Sequence, residues 1–224
     1  HSPYPRLYFY FFIFRGRVTM ESRREFNLRR LHSLLGVLPI GLFLIEHLMV
    51  NYFVTRGPEA FNKAAEFMHD LPFRLLMEIV IIYLPILFHA VLGLHIAFTA
   101  KYSVGSYSYF RNWMFALQRI TGIVTVVFIV WHVWQTRVQV ALGDTANADM
   151  MVEIFSNPFM IAFYMVGVLS AIFHFANGLW SFALRWGLIV TPKSQRIFTY
   201  ITLGVFVFLA FISIRTLLAF INMA

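Results

Sequence analysis

The chain has no cysteine. Disulfides, thiolate-held iron–sulfur clusters and covalently attached c-type haem are therefore excluded. Charge is scarce as well: 12% of the 224 residues are charged against 60% hydrophobic, and mean hydropathy is +0.72. That balance is wrong for a soluble domain and right for a helical membrane protein. Acids are the rarer sign, 10 against 18 Lys and Arg. The bases lie in short segments between apolar runs, where they record membrane orientation, so nucleic acid is not an expected partner. No Gly-x-Gly-x-x-Gly or P-loop pattern occurs, which removes the usual loops for dinucleotides and ATP. If the chain serves a redox enzyme, the substrate chemistry belongs to another chain, and no catalytic residue is expected on this one.

What is present is a set of five long apolar runs, at about residues 34–53, 75–100, 115–136, 159–184 and 198–221. Each is long enough, at about 20 helical residues, to cross a bilayer core of about 30 Å. The runs are continuous rather than alternating, so helices are expected and strands are not. Residues 20–224 read as one membrane domain. Residues 1–19 read as a translated leader: Leu7 to Phe14 is apolar but too short to span, and Met20 opens a more ordinary start, Glu21-Ser22-Arg23-Arg24-Glu25. An intact mass that included His1 would refute that expectation.

Basic residues set the direction. Arg23, Arg24, Arg29, Arg30, Lys101, Arg111, Arg119, Arg185, Lys193 and Arg196 fall on one side of the alternating spans. Only Arg56, Lys63, Arg74, Arg137 and Arg215 fall on the other. The richer side is expected to be cytoplasmic, which puts the N-terminus inside and the C-terminus outside.

Inside the apolar runs stand histidines in a repeated frame. Phe88-His89-x-x-x-Gly93-Leu94 returns 85 residues later as Phe173-His174-x-x-x-Gly178-Leu179. His47 and His132 precede His89 and His174 by 42 residues each and are themselves 85 apart. The first two helices and the third and fourth thus read as an internal repeat. His47 and His132 lie near the ends of outward-running spans. His89 and His174 lie about 14 or 15 residues into inward-running ones, roughly 21 Å deep at about 1.5 Å per residue. Depth alone sorts His47 with His132 towards the outside and His89 with His174 towards the cytoplasm.

Such histidines could serve as interhelical hydrogen-bonding groups or as a proton relay in a haem-free scaffold or transporter. Four of them, paired by depth on four helices, favour a cofactor held from both sides. A haem iron with two axial imidazoles fits best, since coordination uses the neutral ring that a low dielectric favours. Gly93 and Gly178 share a helix face with His89 and His174; they admit either a flat macrocycle or a close-packed neighbouring helix. His32, His69 and His95 read as polar interface groups, Arg215 as a snorkelling base, and Glu46 as a neighbour able to orient His47 or relay protons. Glu78 is a further charge near a span end.

A family resemblance rests on Arg29-Arg30-Leu31-His32-Ser33-Leu34-Leu35-Gly36, Ser108-Tyr109-Phe110-Arg111-Asn112-Trp113, Gln118-Arg119-Ile120-Thr121-Gly122, Trp131-His132-Val133-Trp134 and Phe173-His174-Phe175-x-Asn177-Gly178-Leu179-Trp180. In these motifs the chain, from about Met20 on, resembles the Bacillus-type dihaem cytochrome b anchors of succinate dehydrogenase, a succinate:menaquinone oxidoreductase. The resemblance implies an all-α integral membrane protein of five transmembrane helices, with a four-helix dihaem core and an accessory fifth helix. It implies two haem b, with iron ligands His47 and His132 for the outer and His89 and His174 for the inner. It implies flavoprotein and iron–sulfur partner subunits, residence in the bacterial cytoplasmic membrane, and electron flow from inner haem to outer haem to menaquinone. Inner-haem propionates would be met by His32, Ser33 and Arg185. Arg119 is added on charge and position, and Glu66 and Asp70 as candidates for proton traffic at the quinone. A fumarate reductase anchor of the same build is the alternative.

Overall fold

The computed structural model describes residues 23–99 and 109–224. The leader at 1–19, and Lys101 and Ser108, lie outside the described residues. Among the described residues, five helices are long and apolar enough to cross a membrane: α1 (Arg23–Arg56), α3 (Arg74–Thr99), α4 (Phe110–Leu142), α6 (Pro158–Arg185) and α7 (Pro192–Ile221). They overlap the five apolar runs, and the described residues contain no strand. Several extend beyond the run that marked them. α1 starts eleven residues early because the polar segment ahead of its run is also helical, with Arg29 reaching back one turn to Glu25 at 2.7 Å. Helices need not stop where hydrocarbon stops, since water satisfies their side chains beyond it.

The hairpin connections at the end that carries Arg56 and Arg137, labelled the outer end after the direction expected from the basic residues, are not plain loops. α2 (Pro58–His69) and α5 (Ala148–Phe155) are short helices at that end. α2 begins after Gly57, whose φ of 106° suits glycine, with Pro58 in the first turn. Asn147 caps α5 by accepting from the Met150 amide at 3.0 Å. The Ala148 amide donates to Asn62 Oδ1 at 2.8 Å, tying the two together. Beneath them Val54, Phe61, Phe128, Phe155, Tyr164, Leu217 and Phe220 form the main buried cluster. Smaller clusters follow at mid-depth (Leu48, Ile172, Leu209) and at the inner end (Trp180, Ala183, Ile189).

α4 packs on α6, α6 on α7, and α7 on α1. In lipid, close packing rather than water exclusion holds helices together, so small residues mark the contacts. A β-carbon at Gly167 would collide with the Phe128 ring, and one at Gly41 with Phe175. Two π-helical turns interrupt the pattern, Glu78–Tyr83 in α3 and Trp134–Val138 in α4. Pro85, which has no N–H to offer, lies just past the first. Glu78 and Arg137, one from each turn, form a bridge whose shortest contact is 2.8 Å; Arg74 lies 3.7 Å from the same carboxylate.

Candidate paired-histidine sites

The bundle brings the four intramembrane histidines together in two pairs. His89 on α3 and His174 on α6 have ring centroids 6.1 Å apart, with planes at 88°. His47 on α1 and His132 on α4 are 5.8 Å apart, at 75°. Each pair draws its two rings from helices of different repeat halves.

The inner pair is held by a device used twice. The Nδ1–H of His89 donates to the His32 carbonyl at 2.9 Å, and that of His174 to the Gln118 carbonyl at 2.9 Å. Four residues after each carbonyl comes a glycine. A β-carbon at Gly36 would stand 2.5 Å from His89 Cε1, and one at Gly122 would stand 2.9 Å from His174 Cε1. Only glycine lets the imidazole lie that close to the helix backbone. Gln118 adds a return bond from Nε2 to the His174 carbonyl at 2.9 Å, and its Oε1 accepts from Asn177 Nδ2 at 2.7 Å. With Nδ1 committed to a carbonyl, Nε2 is left as the lone-pair nitrogen of each ring.

Gly93 and Gly178 face these same holders. A β-carbon on Gly93 would meet His32 Nε2 at 3.1 Å, and one on Gly178 would meet Gln118 Nε2 at 3.4 Å. His32 itself stacks on His89 at 3.8 Å with planes 13° apart. Its Nε2 is buried without a hydrogen-bond partner among the described residues, as is fitting for a group that awaits a polar ligand. Ser33 Oγ accepts from Trp186 Nε1 at 3.2 Å, and the Trp186 ring carries the Arg30 guanidinium at 4.0 Å. Arg185 ends α6 at this same inner end, and Arg119, half-buried on α4, lies 5.8 Å from the Phe115 ring.

The outer pair is supported by side chains instead. His132 Nδ1 lies 3.3 Å from the Tyr164 hydroxyl, which donates to Gln135 Oε1 at 3.3 Å. Phe128 stacks beside His132 at 5.5 Å. Asn51 donates to the His47 carbonyl at 2.8 Å, and its Nδ2 stands 3.5 Å from His47 Nε2. Glu66, His69 and Asp70 lie exposed on and just after α2, His95 is exposed on α3, and Glu46 is half-buried on α1.

Two imidazoles on opposite sides of one metal, each at about 2 Å, would place their ring centres roughly 6 Å apart. Both pairs meet that spacing. Among the described residues no third His, Cys, Asp or Glu joins either pair to make a protein-only metal site. A metal held here must bring its other donors with it, as a tetrapyrrole does, and the residues present fit such a group.

Gly36, Gly122 and Gln118 stood in the family motifs with no site role attached, and Tyr164 and Gln135 did not stand out in the sequence at all. A signal existed for the first three: Gly36 and Gly122 are 86 residues apart, as are His32 and Gln118. That spacing is one residue off the 85-residue repeat of the histidines, so the frame extended back lands beside them, on Leu117 and Thr121. Tyr164 and Gln135 carry no comparable mark.

Five membrane-crossing helices with a histidine pair at each of two depths define a cytochrome b-like membrane bundle. Residues 97–214 match the family model described as succinate dehydrogenase/fumarate reductase transmembrane subunit. The chain is also 59% identical over 202 residues to the succinate dehydrogenase cytochrome b558 subunit of Bacillus subtilis (strain 168), covering 90% of this chain and all of that protein. The chain belongs to the succinate dehydrogenase/fumarate reductase transmembrane subunit family.

Proposed function

We propose that the chain is the dihaem anchor of a bacterial succinate:menaquinone oxidoreductase, binding one haem b between His89 and His174 and another between His47 and His132. The observation that carries this reading is the repeated imidazole separation of 6.1 and 5.8 Å at two depths of one bundle. Bound there, haem supplies reversible one-electron chemistry inside the membrane. The chain's own residues do the positioning. His32 and Gln118 fix the tautomer of the inner ligands through their carbonyls, while Gly36 and Gly122 set how close those rings lie to the backbone. His32 Nε2, Ser33 and Arg185, with Arg119, offer polar groups for carboxylates at the inner edge.

The base-rich end is assigned to the cytoplasm, where flavoprotein and iron–sulfur subunits would dock, and menaquinone to the outer end, near Glu66 and Asp70. The B. subtilis relative is named as a succinate dehydrogenase subunit, which favours succinate oxidation over fumarate reduction. A reduced-minus-oxidised spectrum with haem quantification tests the reading. Two haems per polypeptide are expected, one lost in His47→Ala or His132→Ala and the other in His89→Ala or His174→Ala. A colourless anchor, co-produced with its soluble partners and ample haem, would refute it.

A further inference from the structure

We infer that Tyr164 is a positioning residue for the outer ligand His132, a side-chain support that sets the character of that site independently of the inner one. The inference rests on the dihaem reading and adds a residue to it. Tyr164 is 2% exposed, enclosed by Phe128, Phe155 and Phe163 at ring separations of 5.3, 5.0 and 6.1 Å. A buried phenol in a hydrocarbon setting must place both its proton and its lone pairs. Its proton goes to Gln135 Oε1. The hydroxyl oxygen is then the acceptor for the Nδ1–H of His132, which lies within 3.3 Å.

Gln135 sits three residues after His132 on the same helix, so it aims the hydroxyl back at the ring it follows. Its Nε2 is anchored in turn on Met160 Sδ at 3.6 Å. The chain His132 Nδ1–H, Tyr164 O–H, Gln135 Oε1 therefore has one direction. It fixes the His132 tautomer and leaves Nε2 for the partner side.

The inner ligands donate to backbone carbonyls, which no substitution removes. Of the outer pair, His132 donates to a phenol, whose hydroxyl a single substitution removes while its ring stays in place. A hydrogen bond accepted from Nδ1–H raises the basicity of the coordinating nitrogen and favours ferric iron. Losing it weakens that donor and raises the midpoint potential of the site.

The test is Tyr164→Phe in the complete membrane complex, with redox titration of both haems and electron paramagnetic resonance of their ferric forms. The expected result is an upward shift of the outer midpoint and an altered outer ferric signal, with the inner haem unchanged. Unchanged outer signals, or equal shifts in both haems, would overturn the inference. If Tyr164→Phe costs the outer haem, Gln135→Met decides, because it leaves the aromatic cluster intact and removes the acceptor that aims the hydroxyl, along with the amide's contact to Met160 Sδ. An outer-only shift in that variant supports the inference; no shift overturns it. Failure of the dihaem reading itself would look different: the unaltered complex would lack an outer signal that His132→Ala removes.

Discussion

Gln118 and His174 hold each other twice: the histidine ring donates to the glutamine carbonyl and the glutamine side chain donates to the histidine carbonyl, both at 2.9 Å. The pair locks α4 to α6 at the depth of the inner site. Replacing Gln118 by Leu keeps the ring's own bond and removes the return one, along with one of the two acceptors of Asn177 Nδ2, which keeps the Met114 carbonyl. The inner haem signal should broaden or shift in the difference spectrum while the outer one stays. An unaltered inner signal would show that the return bond is dispensable.

Two glycine substitutions should report on opposite sites. Gly122→Ala pushes a methyl into His174, and Gly167→Val drives side-chain atoms into Phe128, which stacks beside His132. Overpacking of this kind costs about 1–3 kcal/mol. Gly122→Ala is expected to disturb the inner haem alone and Gly167→Val the outer haem alone, read from separate redox titrations.

The Glu78–Arg137 bridge joins two π turns, with side chains 16% and 27% exposed. Hydrogen bonds to charged groups contribute about 1.5–3 kcal/mol. Glu78→Ala and Arg137→Ala should each lower the temperature at which the detergent-solubilised complex loses its haem signals. The double variant should lose little more than either single one; full additivity in that cycle would mean the bridge contributes nothing.

Trp180 carries the Arg111 guanidinium 3.7 Å above its ring and donates from Nε1 to the Gln195 carbonyl at 3.1 Å, while Arg111 also bonds Thr199. Trp180→Phe keeps a ring but loses the donor and weakens the cation–π contact, about 0.5–2 kcal/mol. The complex should become less heat-stable with both haem spectra unchanged at low temperature. A changed inner spectrum would place Trp180 nearer the chemistry than its contacts suggest.

On the proposed arrangement, with succinate oxidised inside and menaquinone reduced at the outer end, electrons would move towards the positive side of an energised membrane. Each charge crossing gains about 2.3 kcal/mol per 100 mV. Collapsing the potential in tight, correctly oriented vesicles should therefore slow succinate-dependent menaquinone reduction. An unchanged rate with intact enzyme would place quinone reduction elsewhere.

The five spans were legible because hydrocarbon length imposes one scale on every crossing helix, and the proximity of the histidine pairs followed from rise per residue and alternating direction. α2 was not legible: segment 58–69 mixes Glu59, Lys63 and Glu66 with Phe61 and Phe67, and its amphipathic face has meaning only once the outer cluster exists to receive it. Tyr164 sits in an apolar run where hydropathy says nothing of which face meets a neighbour. Glu78 and Arg137 are 59 residues apart, so no local pattern links them. Gly93 and Gly178 were legible as close-approach positions, but not that His32 and Gln118 would fill the space above them.

The π turn at Trp134–Val138 begins two residues beyond His132. One surplus residue in a winding rotates everything after it by about 100° relative to an unbroken helix. The phase of α4 is thereby reset between His132 and Arg137: the imidazole can face its partner His47 while the guanidinium swings round to Glu78. Excising a single residue there would restore regular winding yet turn the guanidinium away from its carboxylate, so that an innocuous-looking deletion would act as a charge-removing mutation.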